Sequence, residues 1–202
     1  MSFQIGKIRL ELSYPLVVVM TAVIILDTSM SVIICFISAV CHELGHIAML
    51  KRYHTMPERI KLTLFDIAII DQKQYSRNNK QELVVTLAGV TVNFFLSAVS
   101  YMLFLFFKYE FLGIFYSANL ALGLFNSMPV DNLDGGQALK ILLCSYFDID
   151  TASRILDVLS LLILVPCAFF GFLILLDSRY NFTLLITSLY LIALILFKKT
   201  KY

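Results

Sequence analysis

His42, Glu43 and His46, within Cys41-His42-Glu43-Leu44-Gly45-His46, have the residue types and the spacing for metal-assisted hydrolysis. On a helix the two histidines stand one turn apart on the same face, so both imidazoles can hold one metal ion. Glu43 can then take the proton from a water at that ion. The chain has three histidines in 202 residues, so the pairing is not a product of histidine abundance. An open catalytic zinc site uses three protein ligands and one water, and a third ligand must come from elsewhere. Asp134 is the best placed: it follows an apolar span and precedes Gly135 and Gly136, which allow close backbone approach. Its plain structural reading is the N-cap of a helix over 138–147. Asp131 is the runner-up. His54, beside Tyr53 near an interface, reads as solvated, and Asp27, Asp66 and Asp71 read as turn residues. Asn93 and Asn126 bring amides into apolar spans, where each could bind substrate backbone or a developing oxyanion, or join helices.

These residues sit in a chain that is 59% hydrophobic and 15% charged, with mean hydropathy +0.84. Such a composition indicates a polytopic, all-α membrane protein forming one domain over residues 1–202. No basic, aromatic-rich polar surface suggests nucleic acid. Cys35, Cys41, Cys144 and Cys167 show no metal or disulfide spacing and read as small core residues.

About six transmembrane helices are expected. The first covers about 16–25, and the absence of a small-residue cleavage site after it argues against a removed signal peptide. The second, Met30 to Leu50, covers about 30 Å and carries the histidines about 10 Å from its end. The third runs from Leu83 to Phe107 behind a capping box at Asn79-Lys80-Gln81-Glu82. The fourth covers Phe111 to Met128. The fifth covers about 155–176, with Asp150 as N-cap and a kink at Pro166, and the sixth Phe182 to Phe197. Between spans two and three, Ile60, Leu62 and Leu64 alternate with polar residues and Ile67 to Ile70 follow. This pattern suggests a membrane-associated β-hairpin over 59–71, with a short strand at 8–13 as a possible addition.

Six spans put both termini on one face, and 14 of the 16 Lys and Arg fall on that face. The bias assigns it to the cytoplasm and brings His46 and Asp134 towards the same level. Ionisable side chains at that depth each cost about 2.5–3.5 kcal/mol. Three or four of them, about 10 kcal/mol together, are offset by the roughly 10–16 kcal/mol that structural zinc returns. A metal transporter would need polar residues through the full depth, whereas these cluster at the cytoplasmic end. A catalytically idle zinc-binding scaffold that captures a membrane partner is the alternative from another class; the intact Glu43 argues against it.

His42-Glu43-Leu44-Gly45-His46, the Gly89 to Asn93 segment, and Asn126-Ser127-Met128-Pro129 followed by Leu133-Asp134-Gly135-Gly136 occur in one order. Together they resemble the site-2 protease family of intramembrane zinc metalloproteases, and the six-span layout is similar to its sporulation-type branch. The resemblance implies hydrolysis of peptide bonds in or near transmembrane segments of membrane-protein or membrane-associated substrates. It implies one zinc ion on His42, His46 and Asp134, with Glu43 as general acid and base. It also implies a site towards the cytoplasmic face of a multi-pass protein in a bacterial cell membrane, and leaves room for a regulatory membrane partner. An extended substrate could add a strand to the hairpin edge. Val90 departs from the proline often found there, Asp131-Asn132 from a more apolar stretch, and the hairpin lacks the branch's glycine pair. No nucleotide-sensing or PDZ module is expected in these residues.

Overall fold

A computed structural model of the chain describes residues 2–5, 8–27, 30–56, 59–62, 67–70, 77–178 and 182–197. The chain divides into two compact units, Met1–Asn126 and Ser127–Tyr202.

The first unit combines a small sheet with four helices. Strands β1 (Ser2–Ile5), β2 (Ile8–Leu12), β3 (Arg59–Leu62) and β4 (Ile67–Ile70) lie in the order β1-β2-β3-β4. β1 pairs antiparallel with β2, and β3 antiparallel with β4. β2 and β3 run parallel, with Leu10 opposite Ile60 and Leu12 opposite Leu62. A parallel pair needs a long crossover, and helices α1 (Tyr14–Leu26) and α2 (Ser31–Arg52) provide it. Residues 63–66, and with them Asp66, lie outside the described residues, as does Asp71.

Helices α3 (Asn79–Phe107) and α4 (Glu110–Asn126) pack against α2 and against each other. Asp27 accepts the Val32 N–H at 2.7 Å, tying the chain ahead of α2 to its first turn. The capping box of α3 is built one residue earlier than the sequence suggests. Asn78 Oδ1 accepts the Gln81 N–H at 2.8 Å, and Gln81 Oε1 accepts the Asn78 N–H at 3.2 Å. Arg77, just ahead of it, ion-pairs with Glu82 at 2.5 Å and donates to Thr55 Oγ1 at 3.1 Å, joining the end of α2 to the start of α3.

The second unit holds α5 (Asp134–Leu143), α6 (Ile149–Ser178) and α7 (Thr183–Leu196), with α6 packed on both others. Pro166 lies inside α6. The cap of α6 is Asp148 rather than Asp150: its carboxylate accepts the Thr151 N–H at 3.0 Å, and Asp150 sits in the first turn. That bond holds the Asp148 carboxyl below its ordinary value. Its contribution is full above the ordinary carboxylate range and is lost as pH falls through the lowered one. Asp148→Ala is therefore expected to lower the protection of the Thr151 amide against hydrogen exchange, relative to its intrinsic rate, at neutral pH. Acidification should lower that protection in the wild type alone, and equal protection in both proteins at neutral pH would contradict the cap.

Among the described residues, three helices are long and apolar enough to cross a membrane: α2, α3 and α6. At 13, 17 and 14 residues, α1, α4 and α7 are shorter than the roughly 20 residues a full span takes. Phe95, Phe106, Leu162, Phe169 and Phe170 are all more than half exposed on the long helices. In water such a surface would be an uncovered apolar patch; on a membrane protein it faces lipid. Cys35 and Cys144 are exposed rather than in the core, Cys41 and Cys167 are half-buried, and all four are free thiols.

Candidate metal centre

The buried stripe of α2 is Ser38, His42, Gly45, His46 and Leu50, on successive turns of one helical face. α3 meets it with Val85, Ala88, Gly89 and Asn93. Small residues set how near the two backbones come. A Cβ on Gly45 would stand 2.8 Å from the Ala88 carbonyl oxygen and 3.0 Å from Val92 Cγ2. Lipid supplies no hydrophobic force between helices, so close backbone packing of this kind is what holds them together.

That approach fixes the imidazoles. His46 Nδ1 lies 2.8 Å from the Val85 carbonyl oxygen. A carbonyl only accepts, so Nδ1 carries the proton and His46 Nε2 presents a lone pair. His42 Nε2 lies 3.1 Å from His46 Nε2, with the rings nearly perpendicular at 79°. On its other side, His42 Nδ1 lies 3.2 Å from the Asn93 amide nitrogen. Both histidines are buried and Asn93 is fully so.

Gly89 is the residue that leaves room above the pair. A Cβ there would overlap His46 Nε2 and stand 2.7 Å from His42 Cε1 and 2.8 Å from His42 Nε2. The space in front of both Nε2 atoms is therefore kept free by the missing side chain. Two nitrogens bound tetrahedrally to zinc at about 2.0–2.1 Å stand about 3.3 Å apart, close to the observed 3.1 Å. The imidazole pair and its glycine thus fit a metal ion.

Glu43, next to His42 in α2, is half-buried. His54 stands beyond the end of α2, exposed and with φ of 58°, on the left-handed turn that closes the helix. Asn126 is half-buried, and its amide donates to the Leu122 carbonyl of its own helix at 3.1 Å. A second buried amide went unmarked in the sequence. Asn119 of α4 is fully buried and donates to Ser38 Oγ at 3.0 Å and to the Phe115 carbonyl at 2.9 Å. The sequence signal for it was there, an asparagine inside an apolar run, as it was for Asn93.

In the second unit, Asp134 is half-buried and forms the first turn of α5, which starts four residues before the expected helix. The N-cap is Leu133, not Asp134. The two glycines explain the early start. A Cβ on Gly135 would run into the Ser127 carbonyl and stand 2.6 Å from the Met128 oxygen. One on Gly136 would run into the Val130 carbonyl. The residues that read as a loop are helical because that turn packs backbone to backbone on Ser127–Val130. Asp131 is buried, and its N–H donates to Ser160 Oγ of α6 at 3.0 Å.

No protein-family profile matches the chain. The zinc metalloprotease MJ0392 of Methanocaldococcus jannaschii is 33% identical over 117 residues, which are 55% of this chain and 33% of that protein. The chain thus spans about a third of the length of that relative. A solved structure of the site-2 protease from Methanocaldococcus jannaschii matches with a TM-score of 0.65 at 26% identity. The match covers 95% of this chain and 92% of that one.

Proposed function

This chain belongs to the site-2 protease family, and from that premise we propose that it is a zinc-dependent intramembrane endopeptidase. Its substrates would be membrane proteins, cut in or near their transmembrane segments. The observation that carries the reading is the facing pair of His42 and His46 Nε2 atoms, 3.1 Å apart beneath a glycine whose side chain would fill the gap.

We assign Asp134 as the third ligand, giving two imidazoles and one carboxylate. In its favour, the packing of Gly135 and Gly136 fixes the turn that carries it. Asp131 is the weaker candidate because its segment is anchored to Ser160 of α6, while His54 is exposed past the end of α2. Held by His42, His46 and Asp134, a zinc ion would supply Lewis-acid chemistry, the polarisation of a carbonyl and the activation of water. Glu43 takes the proton from the attacking water and returns one to the leaving amine, as its place beside His42 allows. Val85 keeps the His46 Nε2 lone pair turned towards the ligand position, and Gly89 keeps that position clear.

The substrate carbonyls of a helix are engaged in its own hydrogen bonds, so the segment to be cut must unwind. Edge strand β4 offers a place for the extended chain. We place six spans in the membrane, both termini and the site at the cytoplasmic face of a bacterial cell membrane, on the strength of the Lys and Arg distribution.

The test is removal and return of the metal. Protein purified into liposomes with a single-span substrate library is expected to hold one zinc per chain. A chelator should stop cleavage and stoichiometric zinc should restore it. Cleavage indifferent to metal removal would overturn the reading. Bound zinc with no cleavage of any member would favour the idle scaffold instead.

A further inference from the structure

Resting on the zinc reading above, we infer that Asn93 is a positioning residue for His42, and that its amide turns over when the metal loads. The argument is a count of protons. His46 Nδ1–H donates to Val85, so His46 Nε2 has only a lone pair. A hydrogen bond between the two Nε2 atoms must then be donated by His42 Nε2–H. A neutral His42 protonated there has a bare Nδ1, which accepts from the Asn93 amide N–H at 3.2 Å. One arrangement of protons makes all three contacts hydrogen bonds, and it has His42 in the tautomer that cannot bind metal through Nε2.

For His42 Nε2 to become a ligand, its proton must move to Nδ1, with no change in the charge of the ring. Nδ1–H then needs an acceptor, and the Asn93 N–H facing it is the wrong group. The right one is half a turn away on the same side chain. Asn93 Oδ1 is buried in a fully buried residue and has no hydrogen-bond partner among the described residues. Rotating the amide by half a turn brings that oxygen to His42 Nδ1 and satisfies it. An asparagine can serve both tautomers because it carries a donor and an acceptor on one plane. A partner of this kind orients a metal-binding imidazole, and its loss costs 10- to 100-fold in metal affinity.

The experiment uses the full chain in detergent micelles, labelled with 15N-histidine, without metal and with zinc alone. Ring-nitrogen NMR should show His42, assigned by the signals lost in His42→Gln, protonated at Nε2 without metal and at Nδ1 with zinc. Chelator competition should give a zinc affinity 10- to 100-fold lower in Asn93→Leu, which has neither group. In Asn93→Asp, which keeps an acceptor, it should recover to within a few-fold. Asn119→Leu removes a comparably buried amide that meets Ser38 and not a histidine; it should leave the affinity within a few-fold of wild type. An unchanged His42 tautomer on loading overturns the inference, whether or not Asn93→Leu folds. Wild-type affinity in Asn93→Leu also overturns it, while zinc binding by the wild type leaves the protease reading standing. A wild type that takes up no zinc overturns both.

Discussion

Gly89→Ala is expected to abolish stoichiometric zinc binding, and cleavage with it. The added methyl would overlap His46 Nε2 and stand 2.8 Å from His42 Nε2, in the space the two nitrogens share. Relief requires α2 and α3 to part or the imidazoles to rotate. Parting is opposed by the close packing of Gly45 on Ala88, and rotation of His46 breaks its 2.8 Å bond to Val85. Overpacking costs typically 1–3 kcal/mol in a well-packed core, so the helices can still form while the metal position is filled. Elemental analysis of the purified variant, with circular dichroism to show retained helix, checks this. One zinc per chain in a folded Gly89→Ala would show that the metal does not sit between these histidines.

Glu43→Gln is expected to lower the cleavage rate by about 100- to 10,000-fold, the range for loss of a general acid–base group, while zinc remains at one per chain. Glutamine nearly matches glutamate in shape, so the α2 stripe and its contacts with α3 should persist. What is lost is the ability to accept a proton from water and pass it to the amine. Because Glu43 is not one of the proposed metal ligands, affinity for zinc should shift little. A drop in both activity and metal content would instead make Glu43 part of the binding set. Single-turnover cleavage and metal content measured on the same preparation separate the two.

The spacing of His42 and His46 made the imidazole pair legible because a one-turn repeat on a helix places two side chains together whatever the rest of the fold does. The apolar runs made the long helices legible in the same way, through composition and length, and α2 differs from the expected span by one or two residues at its ends. The contacts of Gly89 and Asn93 were not legible. A sequence shows that a glycine permits close approach, but not that the approaching groups are the two imidazoles. It shows a buried amide, but not that its partner is His42, 51 residues away. The start of α5 failed for a related reason: Gly135-Gly136 has the composition of a breaker, yet its backbone contact with Ser127–Val130 makes the turn helical. Caps were misplaced by one or two residues, at Asn78 and Asp148, because neighbouring polar residues offered equivalent side chains. Strand β1 escaped notice, and the joining of the strand at 8–13 to the hairpin was foreseen without its parallel sense, because a crossover of two helices separates β2 from β3.

The most direct test is hydrolysis in H2 18O by the zinc-loaded chain reconstituted with a single-span substrate, read by mass spectrometry. The account predicts two fragments whose junction lies in or near the apolar segment, with one 18O in the new carboxylate, and almost none from Glu43→Gln. Fragments formed as fast by Glu43→Gln, or a junction confined to the distant aqueous part of the substrate, would contradict it.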